Sequence, residues 1–541
     1  MITIRLSAPS GAARPARIRI MISVRRSTLV ALLAGAALLL PLVPAQARPA
    51  AARTDRLGLE TRVSAYLDSI RDRPDELRAF LHDLPKGGEL HNHLSGAAST
   101  ELLLRLAGED GLCVDSATLA AQAPPCGANS RPATDAQTDP DFREQILRAW
   151  SMKDFVPGAE SGHDHFFATF GKFGEASWRH PGRMLAEVAD TAVEQQQVYL
   201  ETMLTPASGG AAALAAKVGW DPDFDRMRAK LLADGGIDQL VAQAGADADK
   251  AMAEFRATSR CDTDAPAPGC ALTIRFISQA SRTAAPERVF TQLLLGMALA
   301  ERDPRFVAVN LVQPEDAPAS LQNYDLQMRM LGYLHGQYPG AHITLHAGEL
   351  VPGLVKPEDL AFHIREAVLT GHAERIGHGV DVTHEDDSAD LLRTLAERHV
   401  LIEVPLTSNE QILQVSGPAH PFPLYRKYGV PVALATDDPG VSRIDITGEF
   451  VKATTSYDLG YPDLKSLVRA SLEYAFVPGR SLWQDRDGYR PADACAGDRL
   501  GSDHPSASCA SLLADSAKAA LEWHEECAFA AFEAAVLDDR S

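Results

Sequence analysis

Eight short β-prone runs recur along the chain, each followed by a longer stretch with helical periodicity, and this alternation constrains the fold more than any other feature. The runs are Gly88–His91, Val198–Leu204, Leu272–Ile277, Phe306–Leu311, His342–His346, Glu374–Gly377, Val400–Val404 and Val432–Thr436. Helical candidates between them include Pro286–Ala300, Leu321–His335, Glu358–Leu369 and Asp387–Arg398. Alternating strands and helices favour a parallel sheet, and eight repeats of the pair predict a (β/α)8 TIM-type barrel. Ahead of the first run, residues 57–81 read as one helical stretch, with Leu59, Val63, Leu67 and Ile70 on one face.

Two gaps are too long for simple crossovers. Residues 105–145 are rich in Ala, Pro and Asp, and residues 206–270 are mostly helical. Both are expected to be insertions in the barrel. Residues 440–541 form a helical C-terminal extension broken by a Gly/Asp/Ser-rich segment. A chain of 541 residues could hold about three domains, but one enlarged barrel, 48–541, accounts for it.

Composition excludes some classes. With 45% hydrophobic and 23% charged residues the chain is not broadly disordered. A net charge of −20, from 52 basic and 72 acidic residues, argues against a protein that coats nucleic acid.

The N-terminus suggests export. Arg25 and Arg26 precede an apolar run from Leu29 to Val43, followed by Ala45-Gln46-Ala47, the order of charged, apolar and small residues in a secretory signal. The run is shorter than the ~20 residues of a membrane span, although an uncleaved anchor is the alternative. Residues 1–47 are therefore expected to be a removable leader, with Met21 a cleaner start than Met1, and the mature chain periplasmic or secreted without stable membrane insertion.

Seven cysteines are present and none forms C-x-x-C, which disfavours a cysteine zinc ribbon or a thioredoxin-type site. Six fall into close couples, Cys113/Cys126, Cys261/Cys270 and Cys495/Cys509, in the added segments. In an exported chain these can close as disulfides, leaving Cys527 over; in a cytosolic chain all seven would stay reduced.

Polar clusters end four of the runs. His91-Asn92-His93 ends the first, and residues at i and i+2 of a strand face the same side, so both imidazoles can reach one metal. His346-Ala347-Gly348-Glu349 ends the fifth, His378-Gly379 the sixth, and Thr436-Asp437-Asp438-Pro439 the eighth. Strand C-termini form the face on which barrel enzymes carry their sites. A second H-x-H, His163 and His165, has no strand before it and is left out of the metal site. Trp150, Phe155, Phe166, Phe167 and Phe170 form an aromatic stretch expected to serve as core or lid.

With these motifs in order, from Pro85-Lys86-Gly87-Gly88-Glu89-Leu90-His91-Asn92-His93 through Arg375-Ile376-Gly377-His378-Gly379 and Glu403-Val404-Pro405-Leu406-Thr407-Ser408-Asn409 to Asp437-Asp438-Pro439, the chain resembles the adenosine deaminase family over roughly residues 57–480. The cysteine-bearing insertion after the first strand resembles its secreted, growth-factor-related branch. The resemblance implies a metal-dependent hydrolase barrel in which His91, His93, His346 and Asp437 bind one Zn2+ and leave a position for water, whose pKa falls towards about 7. It implies that Glu349 protonates a purine ring nitrogen, that His378 orients the nucleophile, and that Asp437 also accepts a hydrogen bond from the water. Asp438 would bond the imidazole-ring nitrogen of the purine, and Glu403 would tie down the site from behind. The implied reaction is adenosine, and 2′-deoxyadenosine, to inosine and ammonia. The secreted branch is often dimeric, so the resemblance allows a homodimer.

Two positions depart from the family. Ser95 stands where an aspartate contacts the sugar, and Gln313 stands where a glycine N–H meets the purine. They open the alternatives of adenine or a modified purine nucleoside as substrate, or a non-catalytic secreted nucleoside-binding protein. The cytidine-deaminase type, with H-x-E and P-C-x-x-C, is excluded because no C-x-x-C occurs.

Overall fold

Each β-prone run becomes one strand of a single eight-stranded parallel sheet whose order follows the sequence. In this computed structural model, which describes residues 50–538, the strands are Gly87–Glu89 (β1), Gln197–Leu204 (β2), Thr273–Ser281 (β3), Phe306–Val312 (β4), His342–Ala347 (β5), Arg375–His378 (β6), Leu401–Val404 (β7) and Val432–Leu434 (β8). Strands β4, β6, β7 and β8 are buried at every position. That matches the largely apolar composition of β4, β7 and β8, because helices cover the outer face of such a sheet and side chains fill the inner one, whereas β6 buries the polar Arg375 and His378. The proposed leader, with Met21, Arg25 and Arg26, lies outside the described residues.

The barrel closes where β8 returns to β1. Asn92 and Asp437 form an isolated parallel bridge. Asp437 N donates to His91 O at 2.9 Å, and His93 N donates to Asp437 O at 3.1 Å. Backbone groups of the polar clusters thus make the last seam of the fold.

Helices start where the sequence provides a fixed φ. Pro286–Arg302 and Pro318–Gln337 both carry proline in the first turn, where its missing N–H costs nothing. Two helical expectations are corrected. Residues 57–81 are not one helix: Ala50–Ile70 and Pro74–Asp83 are separate, since the residue before a proline is pushed out of the α region. Val63, Leu67 and Ile70 nonetheless bury one common face. Residues 358–369 split into a short 3-10 turn, Pro357–Leu360, and a helix, His363–Leu369. The buried Glu385 carboxylate accepts Ile364 N and Arg365 N, which starts a new helix there.

The segment after β1 contains the helix Thr100–Glu109 and a small antiparallel sheet, Cys113–Asp115 between Ala121–Gln122 and Ser130–Pro132. The segment after β2 is built from Ser208–Val218, Phe224–Leu232 and Gly236–Thr258. Disulfides join Cys113 to Cys126, Cys261 to Cys270 and Cys495 to Cys509, as the spacing suggested. Cys527, half-buried on the last helix, stays free. That helix, Ala517–Asp538, docks through buried glutamates: Glu525 accepts Gly87 N of β1 at 3.0 Å, and Glu533 accepts from Lys465 Nζ at 2.8 Å. Among the described residues no helix is long and apolar enough to cross a membrane.

Candidate metal centre and its surroundings

Three strand ends, those of β1, β5 and β8, deliver His91, His93, His346 and Asp437 to one point, all buried, with one ligand atom from each within 4.8 Å of the others. His346 Nε2 lies 3.1 Å from both His91 Nε2 and His93 Nε2. Asp437 Oδ1 lies 3.4 Å from His91 Nε2 and 3.3 Å from His93 Nε2. Ligands about 2.0–2.1 Å from a tetrahedral zinc stand about 3.3 Å apart, so the donor set has the dimensions of a zinc shell.

The outer ring nitrogens explain why the inner ones can bind metal. His91 Nδ1 donates to Glu403 Oε2 at 2.6 Å, His93 Nδ1 to Gln279 Oε1 at 3.1 Å, and His346 Nδ1 to Asn310 Oδ1 at 3.0 Å. Each acceptor holds the proton on Nδ1 and leaves a lone pair on Nε2. Three lone pairs and a carboxylate oxygen facing one another repel unless a cation lies between them. Glu403 was anticipated as the residue behind His91. Gln279 and Asn310 have no such expectation: Asn310 is the one polar residue of an otherwise apolar strand, and Gln279 is one of several polar residues of β3.

Left-handed backbone places the neighbouring groups. His378 has φ +70°, Asp437 +61° and Gly348 +73°. Such values are costly for residues with a Cβ and cluster at functional sites. At Gly348 a Cβ would also press on Ile364 and the Asp381 carboxylate. The turn at Gly348 sends Glu349 back towards His378, leaving Glu349 Oε1 3.8 Å from His378 Nδ1. Glu315 secures that turn: its two carboxylate oxygens accept Gly348 N at 3.2 Å and Glu349 N at 2.8 Å. Arg282, buried beneath, donates to His346 O at 2.6 Å.

Burial, with Asp437 and Glu315 adding negative charge nearby, pushes the Glu349 carboxyl up to about 8. It therefore carries a proton at neutral pH. Burial lowers His378, leaving its ring neutral. Its Nδ1 is 2.8 Å from the Asn409 side-chain amide, and its Nε2 is 3.9 Å from Asp437 Oδ2. Asp437 Oδ2 also accepts from Ser408 Oγ at 2.8 Å.

Asp438 begins the helix Pro439–Ser442, yet its side chain makes no capping hydrogen bond. Its Oδ1 is buried without a partner, and a Cβ at Gly96 would overlap that oxygen. Burial and the adjacent Asp437 charge raise Asp438 well above the usual carboxylate range. A protonated carboxyl with one oxygen unpartnered can donate to an acceptor placed before it.

The remaining residues lie further out. Ser95 is half-buried in the turn of helix Leu94–Ala97, just after His93. Gln313 is exposed at the end of β4 with φ +90°. It keeps the backbone shape that glycine adopts most easily. His163 is not in the metal cluster; it sits on the helix Gly162–Ser177, with Nε2 3.0 Å from Asp316 Oδ1. Trp150 and Phe166 are core residues, while Phe155, Phe167 and Phe170 pack partly buried against the core.

Residues 182–482 match the family model described as adenosine deaminase. That span takes in His346, Glu349, His378, Asp437 and Asp438. Over 139 residues, 26% of this chain, the sequence is 39% identical to adenosine deaminase of Escherichia coli, and the match spans only 38% of that protein. Aminodeoxyfutalosine deaminase of Streptomyces coelicolor is 27% identical over 451 residues, covering 82% of this chain and 94% of that one. Among solved structures, adenine deaminase from Arthrobacter aurescens shares 16% identity over 73% of this chain and 94% of its own, with a TM-score of 0.47.

Proposed function

Since the chain belongs to the adenosine deaminase family, we propose that it is an exported, zinc-dependent deaminase that converts adenosine and 2′-deoxyadenosine to inosine and 2′-deoxyinosine with release of ammonia. The observation that carries this reading is the pairing of a metal-sized donor set, His91, His93, His346 and Asp437, with a buried carboxyl, Glu349, that stays protonated at neutral pH.

Zinc held by the four ligands would supply the Lewis acidity that makes water nucleophilic near neutral pH. The protein's own groups then act on the purine. Glu349 gives its proton to the ring nitrogen beside the amino-bearing carbon, which makes that carbon electrophilic. Asp438 donates to the imidazole-ring nitrogen and fixes the orientation of the base. His378 holds the arriving oxygen, and Asp437 Oδ2, steadied by Ser408, accepts a hydrogen bond from the same water. A carbon–oxygen bond forms and the carbon–nitrogen bond breaks; of the two protons of the water, one goes to the departing amino group, which leaves as ammonia, and the other restores the Glu349 carboxyl.

Ser95 and Gln313 flank the sugar and base in this reading. Their departure from the family pattern favours a second reading, a modified purine nucleoside as substrate. The S. coelicolor relative, which spans most of the chain, carries a name of that kind. Export is supported by the three disulfides, which persist in oxidising compartments.

Steady-state kinetics on adenosine, 2′-deoxyadenosine, adenine, AMP and aminodeoxyfutalosine separate the readings. The highest kcat/KM is expected for the first two. A clear preference for aminodeoxyfutalosine would move the chain to the second reading, and binding without turnover of any of the five would support a nucleoside-binding protein.

A further inference from the structure

His378 is the end of a buried chain of hydrogen bonds that begins on the backbone. Phe422 N donates to His420 Nδ1 at 3.1 Å. His420 Nε2 lies 2.9 Å from Asn409 Nδ2, and Asn409 Oδ1 lies 2.8 Å from His378 Nδ1. All three side chains are buried. His378 Nε2, at the far end, has no partner in the protein.

The direction of this chain is fixed by its first member. A backbone N–H is always a donor, so His420 Nδ1 must offer a lone pair to Phe422. Burial lowers the His420 pKa to about 3, and a neutral imidazole has one N–H and one lone pair. The His420 proton therefore sits on Nε2, directed at Asn409. The amide end that receives it must be the oxygen, since NH2 cannot accept. The hydrogen-bond partners therefore require a half-turn of the amide from this placement, which exchanges Oδ1 and Nδ2 and turns the NH2 towards His378. His378 Nδ1 accepts from that NH2 and so bears no proton, which places the proton of the ring on Nε2.

We infer that Asn409 and His420 are positioning residues that lock His378 as an Nε2–H donor aimed at the reaction centre. His378 can then hold and stabilise an oxygen arriving at the purine carbon, but its inward nitrogen has no lone pair with which to remove a proton. The inference rests on the deaminase reading for its consequence, and on the hydrogen-bond chain alone for its chemistry.

Nitrogen-15 NMR of the full zinc-loaded chain labelled at histidine reads the tautomer directly, with His378→Gln to assign the ring. His378 is expected to be protonated at Nε2 and bare at Nδ1; a proton on Nδ1 overturns the inference. Asn409→Asp keeps the shape but offers acceptors to both rings, and is expected to draw the His378 proton to Nδ1. Its kcat should fall on the order of 10⁴-fold, the scale of a wrong-tautomer histidine in a catalytic triad, with KM nearly unchanged and zinc retained. Undiminished kcat with the proton moved would also overturn the role. If the wild-type chain deaminates no 6-aminopurine, the functional reading fails, while the wild-type spectrum still decides the tautomer.

Discussion

Glu403 holds His91 from behind. A 2.6 Å hydrogen bond runs from His91 Nδ1 to Glu403 Oε2, and the other carboxylate oxygen accepts from Arg375 Nε at 2.6 Å and Thr344 Oγ1 at 2.9 Å. All of these groups are buried. We predict that Glu403→Gln weakens zinc binding by about 10- to 100-fold, the usual cost of losing such a partner. Competition with a chelator of known affinity measures it; unchanged affinity would assign Glu403 to the fold alone.

Glu349 must be protonated to act, which sets the pH dependence. Its carboxyl is raised from the ordinary 4.5 to about 8, so the working form is present below that value and lost as pH rises through it. kcat/KM is therefore expected to fall on the alkaline side with a midpoint of about 8. Glu349→Gln should abolish turnover and keep zinc; an active Glu349→Gln variant contradicts the assigned role.

The eight strands were legible because short β-prone runs alternate with longer helical stretches, and the four polar clusters because each ends one of those runs in a distinctive motif. The supports behind the metal ligands were not. Asn310 is a single polar residue among apolar neighbours and Gln279 lies between Ser278 and Ser281 beyond the apolar run, and only the closed barrel reveals which histidine each one faces. The strands Ala121–Gln122 and Ser130–Pro132 are too short to show any periodicity, so that segment is legible only as an insertion. The breaks before Pro74 and at Phe362 were missed for different reasons. The first has a local signal in the proline, whereas the second depends on Glu385, a residue distant in sequence.

Gln313 keeps φ +90°, a conformation that costs a residue with a Cβ about 1–2 kcal/mol. Glycine would remove that strain while adding some chain entropy to the unfolded state. Gln313→Gly is expected to raise stability by about 0.5–1 kcal/mol, read from the midpoint of chemical denaturation. A lower midpoint would mean that the glutamine side chain contributes more than its backbone costs.

Thiol titration of the denatured, unreduced chain should find one free cysteine, Cys527. Replacing Cys495 and Cys509 together by alanine opens a bridge between residues 14 apart and is expected to cost about 2–4 kcal/mol. Seven reactive thiols would reject both the bridges and the export reading.

The most direct test of the account is zinc titration of metal-free full-length protein in the presence of adenosine, with ammonia release as the signal. Activity is expected to rise from zero and level off at one zinc per chain, with one ammonia released per inosine formed. Full turnover in the metal-free protein, or no ammonia at one bound zinc, would contradict it.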